Sequence, residues 1–205
     1  FDWAEFYDPV DDGSLITRPE VYYSATTSWH TDGQLGIYWG TGTPYDRFSS
    51  IRGYFFAVKD DAPMSCTSFT PTPITDCGAN GVYTLRPGEG LTADPTVYAG
   101  VVYFSTWTPA ADRCDGGTGR LYGIQFDDCS PGVDTNGDGS VDSSDSELVT
   151  SSSSYISGIT VTDAGSIIYG TSGVTTDGST DAVGTFDSST NPFLGTSTVG
   201  WMEIF

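Results

Sequence analysis

The sequence predicts an all-β protein, a partial β-propeller of about three four-stranded blades. Three observations carry this. Strand signals run the length of the chain, no stretch holds a helical period, and one motif recurs every 65 residues.

The predicted strands are short, β-branched or aromatic, and bounded by Gly, Pro, Asp or Thr. They cover 21–26, 34–39, 54–59, 101–106, 121–126, 167–170 and 199–205. The second runs Leu35-Gly36-Ile37-Tyr38-Trp39 into Gly40-Thr41-Gly42. The third follows Gly53 and stops at Asp60. The fourth leaves Ala99-Gly100, and the fifth ends before Asp127. Segments 150–154 and 171–191 are rich in Ser, Thr, Gly and Asp and read as loops, with 181–187 only loosely strand-like.

The recurring motif is a turn, then a strand that ends in a small residue and Thr, with the threonines at Thr41, Thr106 and Thr171. Gly53 to Asp60 follows the first copy and Gly119 to Asp127 the second, so each unit adds a second strand ending in Asp. Blades of a propeller repeat in this way, with the extra length in loops. Three units do not close a ring, because propellers use four to eight blades. The chain therefore reads as one domain over 1–205 with open blade edges. A second polypeptide is expected to complete it, with the seam near 1–6 and 199–205.

Composition narrows the partners. Asp and Glu number 27 against seven Lys and Arg, a formal net charge of −20. Such a chain repels nucleic acid and anionic lipid, since binding either needs clustered Lys and Arg. Twelve Tyr, 11 Phe and five Trp argue for a packed fold over disorder. No run of about 18 apolar residues is present, so no membrane insertion is expected. Phe1-Asp2-Trp3 reads as a mature or internal start.

The four cysteines fall in two close pairs, each bracketing a loop rich in Pro, Thr, Asp and Gly. Three connectivities are open. The expected one is local, Cys66–Cys77 and Cys114–Cys129. A zinc site is the rival, but no pair has metal-ligand spacing and the only His, His30, is distant in sequence. Disulfides imply an oxidising compartment.

Within the insertion 130–147 lies Asp134-Thr135-Asn136-Gly137-Asp138-Gly139-Ser140-Val141-Asp142, then Ser143-Ser144-Asp145. Oxygen side chains occupy loop positions one, three, five, nine and twelve, and Gly139 occupies position six. This is the pattern of an EF-hand-like calcium loop. The expected ligands are Asp134, Asn136, Asp138, the carbonyl of Ser140, Asp142 and Asp145. Flanking helices are lacking: Pro131 and Gly132 precede the loop. The expectation is a calcium clip in a loop, not a calcium-sensing helix pair.

Enzyme chemistry finds little footing. No Gly-x-Ser-x-Gly elbow accompanies His30. Paired carboxylates carry no signal among 27 acids. No catalytic residue is assigned, and the chain is read as non-enzymatic.

Several stretches together resemble a known family. They are Gly40-Thr41-Gly42, Tyr54 to Asp60, Gly90 to Val97 with Gly100 to Pro109, Asp112-Arg113-Cys114 with Gly116 to Tyr122, Cys129 to Asp142, and Trp201-Met202-Glu203. Their order resembles the C-terminal β-propeller region of type IV pilus tip-associated adhesin and assembly proteins, the PilY-like (neisserial PilC) family. The resemblance implies a secreted or cell-surface, calcium-binding propeller at the pilus. It would support pilus biogenesis, twitching motility and adhesion to a host or surface receptor, with a type IV pilus subunit or the rest of the propeller as partner. Departures are Met202 where the family has Arg, the lack of a variable N-terminal region, and the lack of Arg-Gly-Asp. Two readings of other classes stand beside it: a structural subunit decorating an extracellular filament, and a secreted calcium-dependent glycan-binding module.

Overall fold

A computed structural model describes residues 20–42, 52–63, 71–78, 81–112, 116–152, 155–162, 166–171 and 183–187. Across these the chain is all-β and antiparallel, in three open sheets.

The first sheet holds β1 (Thr26–Trp29), β2 (Leu35–Gly40), β3 (Tyr54–Asp60), β4 (Pro71–Pro73) and β5 (Val82–Thr84). β1 and β2 form a hairpin around Thr31-Asp32-Gly33, where Gly33 at φ +84° donates to the His30 carbonyl at 3.0 Å. This is a three-residue loop with its left-handed residue last. The far edge of β3 is shared: β5 pairs with Tyr54–Phe56 and β4 with Val58–Asp60.

The second sheet holds β6 (Gly90–Leu91), β7 (Thr96–Tyr98), β8 (Val101–Thr108), β9 (Thr118–Gln125) and β10 (Leu148–Ser152). β7 turns into β8 through Ala99 and Gly100, at φ 49° and 83°. Two consecutive positive φ values make the tight turn whose twist suits a hairpin. The third sheet is β11 (Ile156–Val161), β12 (Ser166–Thr171) and β13 (Val183–Asp187).

The recurring motif has a structural counterpart. Its three copies are β2, β8 and β12, each lying between neighbours in its own sheet, and the strands that follow are β3, β9 and β13. The middle sheet is covered on both faces. From β8, Val102 and Phe104 join Tyr38, Phe55 and Ala57 of the first sheet. Val101 and Tyr103 join Ile156 and Ile167 of the third. Strand alternation sends odd and even residues to opposite faces, so an unbroken apolar run suits a strand with no wet side. The rings of Phe55, Phe104 and Tyr122 stack in series, with centroids 4.1 and 4.9 Å apart. Burying each such ring is worth about 1.5–3 kcal/mol.

Several sequence expectations need correction. The strand expected at 21–26 starts only at Thr26. β10 (Leu148–Ser152) runs into the segment 150–154 read as a loop, and β13 (Val183–Asp187) lies within 171–191, where only a loose strand likeness is expected. Ser and Thr tolerate strand conformation when a neighbour offers an unpaired edge, and β9 and β12 supply those edges. The strand expected at 199–205 and the segment 1–6 lie outside the described residues.

The cysteine pairing also differs. Cys77 is bonded to Cys129, with Cα atoms 4.8 Å apart and a sequence separation of 52. This excludes both Cys66–Cys77 and Cys114–Cys129. Proximity in sequence misled, because bridging depends on Cα separation, and the stacking of two sheets sets that. Closing a longer loop costs only slightly more entropy. The bond ties the 3₁₀ turn Thr75–Cys77 of the first sheet to the turn after β9 of the second. Cys66 and Cys114 lie outside the described residues. Among the described residues no helix is long and apolar enough to cross a membrane.

Candidate functional site

The loop expected to hold calcium is inserted between β9 and β10. Its approach is firmly placed. Gly132 donates to the Gly123 carbonyl at 3.0 Å, and Val133 is buried against the second and third sheets. Asp134 is buried, and its two oxygens accept from the Gly137 and Gly139 N–H groups at 2.6 and 2.8 Å. Gly137 and Gly139 have φ of +78° and +89° with open space where a Cβ would stand. They are glycines for backbone reasons alone.

Beyond Asp134 each Asx side chain accepts from the N–H two residues on. Asn136 takes Asp138 at 2.8 Å, Asp138 takes Ser140 at 2.9 Å and Asp142 takes Ser144 at 2.7 Å. Asp145 then closes the loop. Its Oδ1 accepts from the N–H groups of Thr135 at 2.8 Å and Asn136 at 3.2 Å, and its Oδ2 from Asp142 at 2.9 Å. Position twelve thus meets positions two and three. The N–H and hydroxyl of Ser144 hold the Asp142 carboxyl below the usual carboxylate range. The Asp142 N–H does the same for Asp145, helped by Thr135 and Asn136.

All six expected ligand residues therefore lie in one closed turn. Asp134, Asn136, Asp138, Asp142 and Asp145 all accept from loop backbone N–H groups, and Asn136, Asp138 and Asp142 are exposed. Among the described residues no three Asp, Glu, His or Cys side chains gather closely enough to hold a metal ion. The donor chemistry, hard oxygens alone, is that of a calcium ligand set.

A second constellation was not legible in the sequence. Glu89 is 0 % exposed. Its Oε1 accepts from the hydroxyls of Thr106 at 2.5 Å and Tyr122 at 3.0 Å, with the Arg120 guanidinium at 3.6 Å. Its Oε2 accepts the Arg86 N–H at 2.9 Å, with the Arg86 guanidinium 3.9 Å away. Arg86 also donates to the Tyr122 hydroxyl at 2.7 Å. A buried carboxylate persists when its lone pairs are met by such donors. Burial, then the Glu89 charge, raises the Tyr122 phenol well above its ordinary value. Arg86 and Tyr122 face a cleft of about 240 Å³ between the first and second sheets, with Tyr83, Ser146 and Glu147. Burial and the Glu147 charge push Tyr83 up to about 12. Only Arg-Pro-Gly-Glu-Gly marks this place in sequence. Nothing local says that Glu89 is covered, because Thr106 and Tyr122 arrive from other strands.

His30, the only histidine, is buried. Its Nε2 lies 2.7 Å from the Tyr38 hydroxyl, and its ring lies 4.4 Å from that of Phe126. It is a hydrogen-bonded residue of the seam between two sheets.

Comparisons with protein-family models, with curated proteins and with solved structures each returned no match. The likeness to the pilus proteins rests on the residues quoted for it.

Proposed function

We propose that this chain is a non-enzymatic, calcium-binding extracellular protein with a partial propeller fold, associated with type IV pili. The observation that carries the reading is the loop 134–145. It has oxygen ligands at five spaced positions, glycine at the sixth, and an end that returns to its own beginning through Asp145. Three antiparallel sheets, each built on one copy of the recurring motif, support blades as the repeating unit. The Cys77–Cys129 bond suits an oxidising compartment. The pilus assignment, with a pilus subunit, a completing chain or a surface receptor as partner, rests on the family resemblance. A structural subunit of a filament would differ in copy number, being present many times per filament where a tip protein is present once.

Calorimetry with calcium tests the central claim. One saturable site per chain is expected, weakened strongly in Asp138→Ala, which removes the position-five ligand. Unchanged binding in that variant sinks the assignment.

A second reading, a glycan-binding module, is favoured by the cleft beside Arg86 and Glu147.

A further inference from the structure

We infer that the cleft lined by Tyr83, Arg86, Tyr122, Ser146 and Glu147 is a binding site for a single neutral sugar unit. The inference takes its ligand class from the glycan-binding reading and its place from the cleft itself. It does not depend on the calcium reading.

The site is built from behind. Glu89, wholly buried, accepts from the Arg86 backbone and lies beside its guanidinium, and it also accepts from the Tyr122 hydroxyl. Arg86 donates to that same hydroxyl. Two lining side chains are thus fixed before any ligand arrives, which lowers the cost of ordering them on binding. Tyr122 spends its one proton on Glu89 and a lone pair on Arg86. Arg86, half exposed, keeps N–H groups that meet no other partner among the described residues.

The lining chemistry selects the ligand. Arg86 can only donate and ionised Glu147 can only accept. A carboxylate drawn to Arg86 meets the charge of Glu147, and an ammonium drawn to Glu147 meets that of Arg86. The nearby charges, Arg86 and Arg120 against Glu89 and Glu147, cancel in number. Sugar hydroxyls donate and accept at once, so adjacent ones answer a donor-only and an acceptor-only neighbour together. The partly exposed Tyr83 ring offers apolar surface to the C–H face of a sugar, while Tyr122, stacked on Phe104, reaches the cleft only at its edge. The volume, about 240 Å³, lies below the range typical of drug-sized ligands and suits one ring. The far wall is held too. The Ser146 N–H donates to the Thr135 hydroxyl at 2.9 Å, and the Glu147 carbonyl accepts from Gly123 at 2.9 Å.

The test is NMR titration of the full chain with D-galactose, D-mannose, D-glucose and N-acetyl-D-glucosamine at millimolar levels, with L-serine as a zwitterionic control. At least one sugar is expected to shift amides at 83–86, 122 and 146–148. In Glu147→Ala, which leaves the Glu89 cluster intact, binding should weaken about tenfold, the value of one hydrogen bond to a charged group. Repeating the titration with calcium chelated separates this site from the loop, since shifts in either buffer support the cleft. Shifts with L-serine and none with sugars overturn the proposal. So do sugar shifts elsewhere, no shifts at all, or unchanged affinity in Glu147→Ala.

Discussion

The hydroxyl of Tyr38 donates to the backbone carbonyl of Phe126 at 2.6 Å, across the seam between the first and second sheets. A phenol has one proton, and a carbonyl can only accept. The contact between His30 Nε2 and the Tyr38 oxygen at 2.7 Å therefore has the imidazole as donor, which places a proton on Nε2. Three residues from two sheets form one directed chain of hydrogen bonds.

The burial of His30 predicts a pH dependence. Burial, then Lys59, holds the folded-state pKa of His30 below its ordinary 6.5, against the pull of Asp32 and Asp127. The unfolded chain then binds the proton more readily. The His30 contribution is complete above the unfolded value and is lost as pH falls from about 6.5 through the folded pKa. Denaturant midpoints should fall between about pH 7.5 and about pH 5.5, and His30→Gln should flatten that slope. A His30→Gln curve parallel to the parent would refute this. Tyr38→Phe, which strands the Phe126 carbonyl, should cost about 1–3 kcal/mol at neutral pH.

The bridge between sheets gives the second expectation. Peptide mapping without reduction should place Cys77 with Cys129. Reduction should lower stability by about 4 kcal/mol, the chain-entropy value for a loop of this size. A map that joins Cys77 to Cys66 contradicts the fold described here.

Ala99 gives the third. It holds φ +49° in the turn between β7 and β8, a conformation that costs an L-residue with an ordinary side chain about 1–2 kcal/mol. Asn tolerates this region, and Asn-Gly is the favoured pair for such a turn. Ala99→Asn should raise stability by about 0.5–1 kcal/mol and Tm by about 1–4 °C. A lowered Tm would show that the turn is not of this kind.

The fourth concerns acid. Asp142 and Asp145 titrate below the ordinary 3.8, so their hold on the loop is present above that value and lost as pH falls through the folded pKa. The amide signals of Thr135, Asn136, Asp142 and Ser144 should move together, with midpoints below 3.8. Midpoints at or above that value, scattered among the four, count against loop closure by Asp145.

The legible parts of the fold were those whose cause is local. The runs within β2, β3, β8, β9 and β12 announce themselves by apolar and β-branched side chains. β4, β5, β6 and β7 have two or three residues each, and β10 is partly serine. Their strand state comes from an edge that another strand leaves unpaired, which no window of sequence contains. The same division runs through the site. The turn at 134–145 was visible, because its Asx side chains answer backbone N–H groups only a few residues away. The partner of Cys77 and the burial of Glu89 depend on how sheets stack. Each was invisible until Cys129, Thr106 and Tyr122 were placed.

The middle sheet has a practical consequence. Because β8 sends Val102 and Phe104 one way and Val101 and Tyr103 the other, neither outer sheet can be cut away as a spare module. A fragment ending before Ile156 would carry Val101, Tyr103 and Leu121 bare on one side, an apolar face that invites self-association. Cutting the chain at the boundaries of its repeat, the natural choice for expressing pieces, therefore severs the interior instead of separating units.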